Sequence, residues 1–255
     1  SMASTVLVEV RDNVQIMTLS NPEARNAATL EMAEAMVAAL DELDRNPALQ
    51  AGIITGAGGT FCAGMDLKGF LQGKRPSIPG RGFCGLTQKP PQKPLIAAVE
   101  GYALAGGCEM VLACDLIVAA SSAKFGLPEV KRGLAAAAGG LLRLPKRLPY
   151  HIAMECILTG DMLSAERAHA HGLVNRLTEP GQALDVALQL AQAVAANGPL
   201  ALIASKRVAQ ESADWPQAEM FERQAAITTP VFTSQDAREG AAAFAEKRKP
   251  VWKGI

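Results

Sequence analysis

The sequence predicts an α/β fold, and three observations support this prediction. Short apolar segments with the composition of buried strands alternate with segments whose apolar residues recur at helical spacing. Hydrophobic residues make up 49% of the 255 residues but aromatic residues only 4%, so we expect a core of small and branched aliphatic side chains. Glycine-rich turns follow the ends of two predicted strands. The chain is long enough to bury a large core as one domain, or as a domain with an appendage.

The first half of the chain predicts a β-hairpin, a helix and a series of strands. Polar and apolar residues alternate in 6–10 and again in 14–19, and the polar residues between these segments are typical of a turn. Apolar residues then recur at helical spacing in 29–43, where Thr29 is a suitable N-cap. Three later segments are short, apolar and typical of buried strands: 52–55, 93–99 and 116–119.

The C-terminal third is predicted to be helical. From about Gly139 onward, apolar residues recur at helical spacing in five segments: 152–158, 165–171, 183–197, 200–212 and 237–247. Residues 69–91 combine glycines, prolines and basic residues without periodicity, which predicts a long surface loop able to gate a site. We divide the chain into an α/β core, residues 1–195, and a C-terminal helical region, residues 196–255.

Charge and cysteine usage argue against several classes of function. The 25 lysines and arginines balance the 25 aspartates and glutamates, so no field of the whole chain attracts nucleic acid or an anionic membrane. The five cysteines show no metal-binding spacing, and their odd number argues against a disulfide framework. No apolar run reaches membrane length and no signal sequence opens the chain, so we expect a cytoplasmic protein.

Other catalytic side chains are not supported by their surroundings. The histidines at 151, 169 and 171 lack the spacing of metal ligands and are interpreted as non-catalytic helix residues, so no metal site is predicted. The serines at 121 and 122 lack the GxSxG context of a nucleophile elbow, which disfavours a serine hydrolase.

Two glycine-rich turns are candidate anion-binding elements. Residues 99–109 run from a strand through glycines into a helix, and such a turn presents free N–H groups to an anion or an oxyanion. Residues 58–66 form a second turn of this kind, and two turns together can polarise one carbonyl. The alternative is that the glycines only let a helix pack closely on the sheet. A dinucleotide-binding loop at 56–59 is a weaker alternative, because no GxGxxG motif follows.

Glu109 and Glu129 are the candidate acid and base. Each glutamate alone is better explained as a structural partner of a helix start, where acidic residues are common. Both, however, lie in apolar sequence, where burying a charged carboxylate is costly and therefore indicates a function. Two such groups can divide acid and base roles between them. The pair therefore predicts proton transfer at a carbonyl that the glycine-rich turns hold.

A family resemblance rests on motifs distributed along the chain. They are NP at 21–22, RNA at 25–27, FCAGMDLK at 61–68, KPLIAAVEGYALAGGCE at 93–109, CD at 114–115, FGLPE at 125–129, LTGD at 158–161, GLV at 172–174, REG at 238–240 and FAEKR at 244–248. With these motifs the chain resembles the enoyl-CoA hydratase/isomerase, or crotonase, superfamily over nearly its whole length. The resemblance implies a spiral of ββα units followed by helices that build a trimer, usually paired into a hexamer.

The resemblance also implies a role for individual residues. The N–H groups of Met65 and Gly106 form the oxyanion hole for a thioester carbonyl, and Glu109 and Glu129 hold the water that adds to a 2-enoyl thioester. The remaining implied residues bind coenzyme A: Ala63 and Leu67 near the adenine, Arg25 and Lys68 near the phosphates, and Phe244 and Lys247 closing the site, sometimes of a neighbouring subunit. No cofactor is implied beyond the coenzyme A of the substrate.

The resemblance leaves several activities open. Presence of both glutamates favours hydration or the reverse dehydration, with carnitinyl-CoA-type dehydration and enoyl-CoA isomerisation as alternatives within the superfamily. A non-catalytic acyl-CoA- or RNA-binding paralogue and a nicotinamide-dependent oxidoreductase are alternatives of other classes. The chain departs from the family pattern at 136–140, where many hydratases have PGAGG and this chain has AAAGG; the Ala137 N–H remains the candidate to hold the water. No residue of 69–91 is assignable to an acyl pocket.

Overall fold

The computed structural model describes residues 5–255, which form a six-stranded main sheet, a three-stranded small sheet, a two-stranded hairpin and a series of helices. The strands are β1 (Thr5–Arg11), β2 (Val14–Ser20), β3 (Ala51–Gly56), β4 (Ser77–Ile78), β5 (Gly82–Phe83), β6 (Leu95–Val99), β7 (Tyr102–Leu104), β8 (Leu116–Ala120), β9 (Lys124–Gly126), β10 (Leu163–Ser164) and β11 (Arg176–Thr178). The helices are α1 (Leu30–Arg45), α2 (Leu67–Leu71), α3 (Gly106–Leu112), α4 (Gly140–Arg147), α5 (Tyr150–Thr159), α6 (Ala165–Ala170), α7 (Ala183–Ala195), α8 (Pro199–Glu211), α9 (Met220–Phe232) and α10 (Gln235–Ala245).

The main sheet has six strands in the order β1-β2-β3-β6-β8-β11. β1 and β2 form the antiparallel hairpin, and every later neighbouring pair is parallel. Consecutive residues of the central strands face opposite sides, as Ile53 and Ile54 do in β3. Ile53 packs in the core against α7, whereas Ile54 belongs to the larger core on the other face. Both faces are covered, which is why these strands read as continuous apolar segments.

The small sheet supplies the second strand of each repeated unit. It has the order β10-β9-β7, with β7 parallel to β9. β6, β7 and α3 therefore form one ββα unit, and β8, β9 and α4 form the next. Because β7 and β9 lie side by side, the glycine-rich turn after β7 and the segment after β9 are brought together. These are the segments that carry Glu109 and Glu129.

Most of the predicted elements are confirmed. The hairpin, the helix that follows Thr29 and the three buried strands are present, and the Thr29 side chain accepts a hydrogen bond from the Met32 N–H as an N-cap. The two-residue and three-residue strands, α2 and α9 were not predicted. The division at residue 195 coincides with the end of α7 and remains a prediction.

The segment 69–91 differs from the predicted surface loop. It contains the end of α2 and the β4–β5 hairpin, and part of it is buried. Phe83, Cys84 and Leu86 are at most 7% exposed. The prediction of a purely surface segment was therefore wrong, because these side chains enter the core although their spacing is not periodic.

Residues 5–255 contain neither a single membrane-spanning helix nor a cluster of metal ligands. No single helix there is both long and apolar enough to span a bilayer, while α7 and the following helical segment pass that test only as a pair bent by 105°. No group of three or more His, Cys, Asp or Glu side chains is arranged to hold a metal ion there.

Candidate active site

The two glycine-rich turns lie against each other. Cys62 and Ala103 form an isolated parallel bridge, and the Leu104 N–H donates to the Cys62 carbonyl at 3.1 Å. A Cβ placed on Gly64 would lie only 3.3 Å from the Cβ of Ala105. Gly64 directly precedes Met65, and Ala105 directly precedes Gly106. The two predicted oxyanion donors therefore come from neighbouring turns.

The N–H groups of Met65 and Gly106 have no hydrogen-bond partner within residues 5–255. Met65 forms an isolated β-bridge with Ala28. In this bridge the Ala28 N–H donates to the Gly64 carbonyl, and the Ala28 carbonyl accepts from the Asp66 N–H, so the Met65 N–H takes part in neither bond. Gly106 begins α3, where the first N–H groups of any helix lack intrahelical acceptors. Such free donors suit a developing oxyanion.

The residue before the second donor is in a strained conformation. Ala105 has φ 52° and ψ −123°, a combination that residues with a Cβ rarely adopt. Its own N–H donates to the Gly126 carbonyl at 2.9 Å, so the small sheet holds the turn in place. The strained residue thus directly precedes Gly106 and sets the direction of the Gly106 N–H.

Glu109 lies in the first turn of α3 and is only 3% exposed. Its Oε2 accepts a hydrogen bond at 3.0 Å from the N–H of Gly140, the first residue of α4. The free N–H groups of one helix start therefore hold a carboxylate carried by another. This contact fixes the orientation of Glu109.

Glu129 lies in a short 3-10 turn, Pro128–Arg132, directly after β9. Its Oε1 is buried and has no hydrogen-bond partner in residues 5–255. A buried oxygen without a hydrogen-bond partner costs folding free energy, and in native proteins such an atom often has a functional role. Within residues 5–255, one oxygen of Glu129 is therefore left without a protein partner.

The pKa values of both glutamates are raised. Burial raises the pKa of Glu109 to about 7; the charge of Glu129 adds to this, while the N–H groups of Gly140 and Ala138 and the charge of Arg143 oppose it. Burial also raises the pKa of Glu129, opposed by its own backbone N–H and by the charge of Arg132. A carboxyl group with a pKa near 7 can both accept and donate a proton at neutral pH.

One cavity of about 370 Å³ joins these groups. The residues that line it are Ala63, Met65, Leu67, Phe83, Ala105, Gly106, Glu109, Glu129, Arg132, Leu134, Ala135, Ala137 and Ala138. Most of the wall is apolar, and the two carboxyl groups and the two free N–H groups are placed along it. Six of the ten residues predicted from sequence meet here: Ala63, Met65, Leu67, Gly106, Glu109 and Glu129.

Comparison with known proteins identifies the family. The model of the enoyl-CoA hydratase/isomerase family matches residues 9–255. The chain belongs to this family. Among curated relatives, the enoyl-CoA hydratase EchA19 of Mycobacterium tuberculosis is 44% identical, covering 96% of this chain and 94% of that protein. A carnitinyl-CoA dehydratase of Salmonella paratyphi A is 43% identical, with coverage of 93% and 94%.

Solved structures agree with this assignment. The crystal structure of an enoyl-CoA hydratase from Mycobacterium tuberculosis is 57% identical, with a TM-score of 0.97 and coverage of 99% of this chain and 100% of that chain. A carnitinyl-CoA hydratase from Mycobacterium avium is 44% identical, with a TM-score of 0.80 and full coverage of both chains. The crotonase fold predicted from the sequence is confirmed.

Four predicted residues of this hydratase/isomerase site lie outside the cavity. Arg25 is exposed but close, because its carbonyl accepts from the Ala63 N–H at 3.1 Å. Lys68 is exposed in the first turn of α2, next to Leu67. Phe244 near the end of α10 is 89% exposed, and Lys247 is exposed just beyond it. The coenzyme A-binding roles of all four residues remain predictions.

Sequence reasoning missed several residues of the site, among them Phe83 and Arg143, and one hydrogen bond. Phe83 lines the cavity although no residue of 69–91 was assigned to an acyl pocket; the signal was an aromatic residue within a glycine-rich segment. Arg143 acts on Glu109 from α4, which no motif indicated. The Ala137 N–H, expected to hold a water, donates instead to the Ala135 carbonyl at 2.8 Å.

Proposed function

We propose that this protein is an enoyl-CoA hydratase, which adds water across the 2,3 double bond of an enoyl-CoA thioester or catalyses the reverse dehydration. One observation carries the proposal: Glu109 and Glu129 share a cavity with the free N–H groups of Met65 and Gly106. Two buried carboxyl groups with raised pKa values, beside an oxyanion hole, are the chemistry that this addition needs.

The oxyanion hole acts on the thioester carbonyl. In the proposed complex its oxygen accepts hydrogen bonds from the N–H groups of Met65 and Gly106. These bonds strengthen as negative charge moves onto the oxygen and an enolate forms, and removing one donor of this kind typically lowers kcat by about 10²- to 10³-fold. The polarised carbonyl makes C3 of the enoyl group electrophilic.

The two glutamates act on the water. One carboxyl group, in its ionised form, takes a proton from the water while the oxygen of that water bonds to C3. The other, in its protonated form, delivers a proton to C2, and the carbonyl is restored as the enolate collapses. The charge of Glu129 contributes to the raised pKa of Glu109, so the protonation of one group affects that of the other.

We also propose how coenzyme A is bound. Ala63 and Leu67 lie at the cavity wall, where the adenine would pack. Arg25, whose carbonyl accepts from the Ala63 N–H, and Lys68, which follows Leu67, are exposed cations that would bind the phosphates. The reaction requires no cofactor beyond the coenzyme A of the substrate. A homotrimer or a dimer of trimers would bring a neighbouring α10, with its Phe244 and Lys247, over the site.

Purified protein mixed with crotonyl-CoA tests the proposal. We expect loss of the enoyl-thioester absorbance and formation of 3-hydroxybutyryl-CoA. E109Q should lose most of this activity, because an amide can neither take nor deliver the proton. E34Q is the matched control, since Glu34 is an exposed glutamate on α1 and should leave the rate unchanged. No turnover of crotonyl-CoA or of longer enoyl-CoA thioesters would contradict the proposal.

Dehydration of a carnitinyl-CoA-type substrate is the second candidate. It is favoured by the relatives named carnitinyl-CoA dehydratase and carnitinyl-CoA hydratase, which are 43% and 44% identical. The same carboxyl pair would serve, because the chemistry is the hydration run in reverse on an acyl group with a quaternary amine. Turnover of L-carnitinyl-CoA with a kcat/KM above that for 3-hydroxybutyryl-CoA would favour this candidate.

A further inference from the structure

A second cavity lies behind the candidate active site. It has a volume of about 450 Å³ and is lined by the β4–β5 hairpin and the residues that follow it. The two cavities share three lining residues: Phe83, Ala137 and Ala138. Since the two alanines have small side chains, the ring of Phe83 is the only bulky group in the shared wall.

The ring of Phe83 packs against the glycine-rich turn that contains Gly106. A Cβ placed on Gly106 would lie 2.2 Å from Cζ of this ring and within 2.6 Å of both Cε atoms, so the edge of the ring faces the Gly106 backbone. The residue is 7% exposed. The ring therefore closes the cavity close to the thioester end of the proposed substrate, where the acyl chain would begin.

The backbone around Phe83 is fixed by hydrogen bonds. The Phe83 N–H donates to Oγ1 of Thr87 at 2.9 Å, and the Cys84 N–H donates to the Pro76 carbonyl at 2.6 Å. Nη2 of Arg143 on α4 donates to the Thr87 carbonyl at 2.8 Å. The segment that carries the ring is thus hydrogen-bonded to α4, the helix whose first N–H holds Glu109. These bonds disfavour movement of the ring out of the wall.

We propose that Phe83 is the residue that ends the acyl pocket. It restricts the enzyme to short acyl groups, and the cavity behind it is the space that a longer chain would occupy if the ring were removed. The inference rests on the proposed function, since it concerns the acyl group of the same thioester. Ile78 and Pro79 give this second cavity an apolar side suited to methylene groups, with Ser77 and Gln88 as polar groups.

The test compares kcat/KM for crotonyl-, 2-octenoyl- and 2-dodecenoyl-CoA in the wild type, F83A and F83L. We expect the wild type to favour crotonyl-CoA and F83A to raise the ratio of dodecenoyl to crotonyl turnover at least about tenfold, with F83L intermediate. A ratio cancels any general loss of rate caused by weaker packing on Gly106. F70A is the matched control, because Phe70 lines neither cavity and its ratio should not change.

Two results would overturn the inference: an unchanged ratio in F83A and F83L, or a wild type that hydrates dodecenoyl-CoA as efficiently as crotonyl-CoA. If F83A does not fold, F83L provides the same comparison. Calorimetric binding of butyryl-CoA and dodecanoyl-CoA, which cannot be hydrated, tests the pocket without turnover. Failure of the proposed function would appear differently, as absence of hydration at every chain length, and the binding ratio would still decide the role of Phe83.

Discussion

The environment of Glu109 shows how one residue is prepared for proton transfer. Burial disfavours its charged form, whereas the Gly140 N–H and the positive charge of Arg143 favour it. Burial is the larger effect, so the net result is a pKa near 7. Ala105, four residues earlier, stores strain in the turn that aims the Gly106 N–H. Both features cost stability at the positions where the proposed chemistry takes place.

The raised pKa of Glu109 predicts a pH dependence of stability. With a pKa of about 7 in the folded protein and 4.5 as the ordinary value, the folded state binds more protons than the unfolded state between these pH values. Stability therefore falls as pH rises through this window, by about 3 kcal/mol if this group acts alone. In E109Q this contribution is absent, so urea unfolding at pH 5 and pH 8 should show a smaller loss. An equal loss in both proteins would contradict the assignment.

At the scale of elements, the start of α4 connects the two halves of the site. Its first N–H holds Glu109, and its Arg143 holds the segment that carries Phe83. Gly139 makes room for this arginine, since a Cβ there would lie 2.6 Å from Nη1. One short helix therefore positions the proton-transfer group and the end of the acyl pocket together.

Arg143 provides a prediction at this scale. R143M removes a positive charge that lowers the pKa of Glu109, so this pKa should rise and the corresponding limb of the pH profile of kcat/KM should move to higher pH. R147M is the control: Arg147 lies on the same helix, but its charge is not among those that change the pKa of Glu109. A limb that stays in place in R143M, or moves as far in R147M, would contradict the role of Arg143.

The sequence was informative wherever periodicity or local chemistry determines the structure. Apolar spacing predicted α1 and the central strands, and the glycine-rich turns predicted free N–H donors near Met65 and Gly106. Two-residue and three-residue strands such as β4, β5, β7 and β9 are too short to show a period. The place of Phe83 depends on tertiary packing, and the bond from Ala137 to Ala135 depends on the conformation of a turn, so neither was readable from spacing.

At the scale of the whole molecule, the two faces of the main sheet are covered in different ways. On one face α7 presents Ala183, Ala187, Ala191 and Ala195, which recur every four residues and allow the helix to approach the sheet closely. The other face carries the larger core beneath the site. Beyond α7, aromatic side chains remain uncovered: Phe221 and Phe232 of α9 are 82% and 81% exposed.

The uncovered aromatic residues predict assembly. Large exposed apolar side chains of this kind mark interaction surfaces, so we expect light scattering to give the mass of a homotrimer or a dimer of trimers. F221E and F232E should each reduce this mass, because burying a glutamate in an apolar interface is costly. L7E is the control: Leu7 is less exposed, at 54%, and lies on β1 instead of α9, so L7E should leave this mass unchanged. A wild-type mass near 26.7 kDa would contradict the prediction.

The central claim is that Glu109 and Glu129 act as one pair on one water, and a double-mutant comparison tests it most directly. Steady-state hydration of crotonyl-CoA would be measured for the wild type, E109Q, E129Q and the double variant. Each single variant should lose about 10²- to 10⁴-fold in kcat, and the double variant should be little worse than either, because groups that act as a unit are not additive. A single variant that retains the wild-type kcat, or losses that simply multiply, would contradict the claim.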